Sequence, residues 1–512
     1  AATLTAGDDD SSTTFSGLMQ NGAAGGTFKL IKSGTGTMTI TGANTHTGGT
    51  TISQGNVTIT NNEALGTGTV GLQSLTGGNT PTLEFGADAL DLSENILVQN
   101  SSGNKTIKLD LAGTNTGTHS GQIDIRRSAA GEFDIDVGAD DTFNVTGSVY
   151  TGAGGGAGIT KLGTGTLNIS GNNSYSGTTA VSAGVLNIQH ANALGNTGGV
   201  TTVASGAALQ IQGDITTAAE ALTLSGTGIS TDGALRNISG TNTYAGAITL
   251  GADTQINSDA GTLTLNHATA INESFNLTFD GAGDTTVSTA IQTGAKKLIK
   301  KGAGTLTLSA TNTYTGFTEI NAGTVIITNS QALGTGTTKM GVANGGPQTL
   351  SFGADSLDLS EGIRVTNNTG NKTLKLDLAG TNTGTLSGAL DIRHSVAGEM
   401  DIDVGTDDTF NITGTVTYAG SGLAGLTKIG AGTLNLSGNN NYLGDTTVSA
   451  GVLNIQHANA LGGTAQATTV TSGAALQIQG DITTAAEALT LSGTGISTDG
   501  ALRNISGTNT YA

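Results

Sequence analysis

Short runs in which Leu, Ile or Val alternates with Thr, Ser or Asn recur throughout the chain, each bounded by glycine. In G-T-L-T-L-S, from Gly304 to Ser309, Leu306 and Leu308 fall on one side, and Thr305, Thr307 and Ser309 on the other. Successive side chains of an extended strand point to opposite faces, so this period of two predicts half-buried strands with leucines inward and hydroxyls in water. Related strands follow at fixed intervals. Gly165 opens G-T-L-N-I-S and Gly184, nineteen residues on, opens G-V-L-N-I-Q; the same offset links Gly432 to Gly451. Like strands one coil apart stack in parallel register with like side chains aligned. The pattern therefore predicts an all-β, right-handed parallel β-helix, an elongated solenoid with coils of about 19 to 25 residues. At the usual strand spacing this is a rod on the order of 100 to 130 Å long. The best helical segment, Thr216 to Leu222, is too short to stand alone and reads as strand or turn.

Two levels of repetition organise the chain. The pattern K-x-G-x-G-T-φ-x-φ begins at Lys32, Lys161, Lys300 and Lys428, giving blocks at 32–66, 161–195, 300–334 and 428–462. Fourteen residues after each lysine stands an aromatic ring, at His46, Tyr175, Tyr314 and Tyr442, and twenty-three residues after it a glycine, at Gly55, Gly184, Gly323 and Gly451. Above this lies a unit of about 267 residues. L-E-F-G-A-D-A-L-D-L from Leu83 returns as L-S-F-G-A-D-S-L-D-L from Leu350, and Gly206 to Ala245 recurs unchanged as Gly473 to Ala512. The expected organisation is one continuous β-helix over 1–512, with a first long unit at 30–296 and a second, incomplete one at 297–512. The repeat breaks off in mid-turn at Ala512, so a longer natural chain is expected.

Composition narrows the partners. The 512 residues include 83 glycines, 2 prolines and no cysteine or tryptophan. A net charge of -19 disfavours nucleic acid and anionic membrane surfaces, which need clustered Lys and Arg. With 35% hydrophobic residues the chain can bury a core, and without cysteine its stability has to come from stacking. No apolar run is long enough for a membrane helix.

The motif K-x-G-x-G-T-L-x-L-S-G-x-N-x-Y-x-G-x-T-T-V-x-x-G-x-L, best seen from Lys161 to Leu186 and from Lys428 to Leu453, resembles the autotransporter-associated β-strand repeat. The resemblance covers four blocks of about thirty-four residues. It implies the passenger region of an autotransporter or giant adhesin, secreted or held at the bacterial cell surface, with a translocator barrel elsewhere.

Residues with chemical potential obey the repeat rather than break it, and no catalytic, cofactor-binding or metal-binding residue is expected. Asp134 with Asp136, repeated as Asp401 with Asp403, share one strand face, and Asp140 and Asp141 follow in a turn. Such paired acids serve glycosidases, yet here they read as outward charges that keep the solenoid soluble. Calcium-loop spacings are missing. His190 and His457 stand where the other blocks have Asn61 and Asn329, and His46 stands where they have tyrosine, so these read as turn residues. The G-x-G-x-x-G at Gly66, Gly68 and Gly71 is lost in its duplicate, where Lys339 follows Gly334 and Gly336. The motif lysines are expected to solvate coil corners. Tyr175, Tyr244, Tyr314, Tyr442 and Tyr511 are expected to pack over Asn-rich turns, and the threonine rows are too interrupted for an ice-ordering lattice.

The function expected from these readings is a structural or adhesive surface fibre and not an enzyme. Alternatives are a self-assembling extracellular filament and a β-helical polysaccharide lyase or hydrolase. Expected partners are the chain itself, end to end or through adjoining repeats, and a host or neighbouring-cell surface, with no cofactor and no membrane contact in this segment.

Overall fold

A computed structural model describes residues 1–23, 25–73, 80–99, 103–126, 133–152, 156–341, 346–366, 371–393, 400–419 and 424–512. The described residues are almost entirely strand and turn, broken only by the 3-10 turns Ile229–Thr231 and Ile496–Thr498. Thr216 makes an isolated bridge and Ala221–Gly226 is a strand, so the segment read as strand or turn is that. The fold is a parallel β-solenoid with coils of about 24 residues. The chain forms two compact units, 1–257 and 258–512.

In the first unit three parallel ladders run side by side. One includes Phe28–Lys32, Thr50–Ile52, Val70–Gln73 and Ile96–Gln99. A second includes Lys105–Leu109, Phe133–Val137, Ile159–Leu162 and Thr179–Val181. The third includes Thr142–Val145, Thr166–Ile169, Val185–Ile188 and Ala208–Ile211. The second unit repeats the scheme, for example with Thr409–Ile412, Thr433–Leu436, Val452–Ile455 and Ala475–Gln479 in one ladder.

Register follows the sequence repeat. Thr166 pairs with Val185, nineteen residues on, and Thr433 with Val452 at the same interval. The intervals widen elsewhere: Lys105 pairs with Phe133 and Lys372 with Met400, 28 residues apart and beyond the upper end of the expected coil length. Stacking fixes the strands, whereas the connections between them are free to lengthen.

The core is the set of inward positions. Leu167, Leu186 and Leu209 stack in one row, Ile169, Ile188 and Ile211 in the next, and all six are fully buried. Each contributes roughly 1.5–3 kcal/mol on leaving water. Where coils are wider, aromatic pairs fill the interior: Phe85 meets Phe143, and Phe352 meets Phe410, edge to face with centroids 4.9 Å apart. Leu306 and Leu308 are buried as the alternation requires, with Thr305 and Thr307 on the outer side.

Leu306→Ala should therefore cost about 2–5 kcal/mol, and Thr307→Ala about 0.5 kcal/mol or less, in denaturant titrations of the chain.

Candidate functional site

The motif lysines are not at the surface. Lys32, Lys161, Lys300 and Lys428 are all at most 3% exposed, which corrects the expectation of solvated corners. Each points inward from the last or next-to-last residue of its strand and meets backbone oxygens. The Lys161 ammonium donates to the carbonyls of Leu162 at 2.6 Å, Gly163 at 2.7 Å and Ala183 at 3.3 Å. Lys428 does the same with Ile429 (2.7 Å), Gly430 (2.8 Å) and Ala450 (3.3 Å). Lys32 reaches Ser33, Gly34 and Gln54, and Lys300 reaches Lys301, Gly302 and Ala322.

Two glycines build this nest. Gly163 has φ +69, which turns its carbonyl toward the ammonium, and Gly184 of the next coil, at φ +64, lies so close that a Cβ would sit 2.4 Å from the Gly165 oxygen. Burial pushes Lys161, Lys300 and Lys428 down to about 8, opposed by the nearby Asp136, Asp280 with Asp284, and Asp403 respectively. They stay charged at neutral pH. The three carbonyls then serve as the partners that a buried cation requires.

Twelve residues after each lysine, a buried asparagine staples three coils. The side-chain oxygen of Asn173 accepts from the Val149 amide at 2.8 Å, and its NH2 donates to the Ala193 carbonyl at 2.7 Å. Asn44, Asn312 and Asn440 make the same pair of bonds with Met19 and Ala64, Ile291 and Ala332, and Val416 and Ala460. The rings two residues further on lie inside. Tyr175, Tyr314 and Tyr442 share hydrogen bonds with the hydroxyls of Thr179, Thr318 and Thr446, and His46 Nε2 lies 3.1 Å from the Thr50 hydroxyl. Tyr244 is also fully buried and donates to the Glu220 carbonyl at 2.9 Å. The rings of His46, Tyr175, Tyr314 and Tyr442 are thus all fully buried.

The acids divide. Asp134 is covered rather than solvated, and its carboxylate accepts from Asn104 at 2.7 Å; Asp401 is half-buried and raised by that burial. Asp136 and Asp403 lie on the same outer face, with Asp403 3.6 Å from Lys375. Asp141 and Asp408, expected in solvent, are buried. Asp141 accepts from the Leu111 and Asn115 amides at 2.9 and 3.1 Å and from the Asn115 side chain at 2.9 Å, and Asp408 repeats this with Leu378 and Asn382. These carboxylates lock adjacent coils together, and among the described residues no group of three or more His, Asp or Glu is placed to hold a metal.

His190 and His457 accept from the Asn192 and Asn459 amides at 3.1 and 3.0 Å, as capped turns do. His394 lies outside the described residues. Gly71 sits within the strand Val70–Gln73 and Lys339 within Thr338–Met340, neither at a phosphate cradle.

Among the buried groups that escaped sequence reasoning are His119 and Glu220. His119 is fully buried at an inward position between Leu92 and Val145, and burial pushes it down to about 4. Glu220 is 1% exposed, accepts from the Thr201 hydroxyl at 2.6 Å, and is raised by burial to about 7. Its duplicate Glu487 pairs with Thr468 at 2.7 Å and is likewise raised to about 7. The signal for Glu220 was its place in the stretch that recurs unchanged. His119 carried only the signal that Leu386 replaces it in the second unit.

Parallel coils whose polar side chains bond the coils above and below define a repeat solenoid. The family model of the passenger-associated-transport-repeat matches the chain four times, at residues 30–59, 159–188, 298–327 and 426–455, each match starting just before a buried lysine. The chain thus carries autotransporter passenger repeats, of a family whose passengers are secreted to the cell surface. Comparison with curated proteins and with solved structures gave no match.

Lys161→Met leaves three carbonyls without a donor and is expected to destabilise the chain by about 1–3 kcal/mol at pH 7, measured by denaturant titration. Two further variants separate opposed pH effects. Glu220 takes up a proton on folding, so its contribution is fully present below about 4.5 and lost as the pH rises to about 7. His119 releases one, so its contribution is present above about 6.5 and lost as the pH falls to about 4. Glu220→Gln should remove about 3 kcal/mol of the first dependence, and His119→Leu a similar amount of the second, in midpoints recorded from pH 4 to 8.

Proposed function

We propose that this chain is a structural spacer or adhesive fibre segment of a passenger exported to the bacterial surface, and that it is not an enzyme. The observation that supports this reading is the use of its chemically capable side chains. The four lysines, the staple asparagines, Asp141 and Asp408 are each spent on bonds between stacked coils, and each recurs with the repeat. A catalytic acid pair needs carboxylates open to substrate. Asp134 is covered and bonded to Asn104, which disfavours the lyase or hydrolase reading.

A spacer needs length, regularity and resistance to local opening. Electron micrographs and small-angle scattering of the chain should give an extended particle, and limited proteolysis should leave the lysine corners uncut. A compact particle, or polysaccharide cleavage that disappears on Asp134→Asn with Asp136→Asn, would overturn the proposal.

A further inference from the structure

If the repeat serves only to stack coils, outward positions are free to vary, and a place where one copy departs from the other along a single row is a place to look for a ligand. One row stands out. In the first unit the row Ile31, Thr51, Gly71, Leu97 and Asp124, on the side of the strands away from the core though covered at Thr51, Gly71 and Asp124, runs across five stacked strands. Its counterpart in the second unit reads Ile299, Glu319, Lys339, Arg364 and Asp391. The interior positions beside it stay apolar, with Ile52 and Leu72 matched by Ile320 and Met340, so the change is confined to the outer face.

Among the described residues the charges on this face do not cancel. Lys297 bonds Glu319 at 2.9 Å, while Arg364 and Arg393 share the single carboxylate of Asp391 at 3.2 and 2.7 Å. Lys339 is in register with Glu319 on one side and Arg364 on the other, and its ammonium lies 3.2 Å over the ring centroid of Phe317. Phe317, 38% exposed, replaces Gly49 of the first unit. Among the described residues these four cations face two carboxylates, in a chain of net charge -19. Like charges directly opposite on neighbouring strands destabilise a sheet. Lys339 is held below the ordinary lysine range chiefly by burial, which Glu319 offsets and to which repulsion from Lys297 and Arg364 adds. An anion set between Lys339 and Arg364 relieves that repulsion.

We propose that this face, centred on Lys339, Arg364 and Phe317, binds an anionic polysaccharide. Lys339 and Arg364 are adjacent along the stacking direction, at the interstrand spacing of about 4.8 Å, so a linear polymer with recurring carboxylates or sulfates meets both. The exposed edge of the Phe317 ring offers an apolar contact to a sugar face. A second copy fits less well. A two-fold pairing sets the adjacent Lys339 and Arg364 against their own copies, and the rest of the chain is acidic. The first unit's row, with Thr51, Gly71 and Leu97, lacks the site.

The test measures binding of dextran sulfate, polygalacturonate and neutral dextran to the chain at low and high salt, together with its oligomeric state. The chain should bind at least one of the two polyanions, more weakly as salt rises, and should ignore neutral dextran. Lys339→Gln with Arg364→Gln should weaken that binding by about tenfold or more at an unchanged melting midpoint, and Lys29→Gln in the first unit should change it less than about twofold. Binding no stronger than that of neutral dextran, binding that the double variant leaves intact, or a salt-sensitive dimer that the double variant dissolves would each overturn the proposal. Particle shape, which tests the spacer reading, is independent of all three.

Discussion

A coil of this solenoid can neither bury its own apolar side nor satisfy its own polar groups, and nearly every feature follows from that constraint. Each strand finds its hydrogen-bond partners one coil below and one above. The corners pose the harder problem, because carbonyls there turn toward the interior, where no strand meets them. The buried lysine solves it with three donors on one atom, reaching two oxygens of its own corner and one of the next coil. The asparagine twelve residues on does the same for an amide below and a carbonyl above.

These bonds also select one register among many. Apolar rows of Leu and Ile accept a shift of two residues with little loss, since like meets like. A lysine that must find three carbonyls does not, and neither does Asp141, which needs the Leu111 and Asn115 amides together. Burying a charge is costly in itself. In a repeat built from nearly identical strands, its return is a single pairing.

Much of this fold was legible in the sequence because its two periods are local. Alternation of Leu306 and Leu308 with threonines gives the strands, and the offset from Gly165 to Gly184 gives the coil. The fate of polar side chains was less legible, since it depends on partners about 20 to 30 residues away. Lys161 was read as solvated because its acceptors are backbone oxygens, which leave no mark in sequence beyond the adjacent glycine. Asp141 was misread for the same reason, its partners being the amides of Leu111 and Asn115. Glu220 lies in a segment without clear alternation, and only the stacked hydroxyl of Thr201 explains its burial.

Comparison of the two long units separates what stacking requires from what it permits. Gly206 to Ala245 recurs without change and carries Glu220 and Tyr244 inside the coil. Leu386 in place of His119 is a change that an apolar interior accepts readily, because the imidazole there must stay neutral. Outside, Thr51, Gly71 and Leu97 give way to Glu319, Lys339 and Arg364 without altering the ladder beneath them. A solenoid of this kind is therefore constrained inside by its neighbours and outside only by solubility. New recognition can arise on one face of one unit while the stack beneath it stays the same.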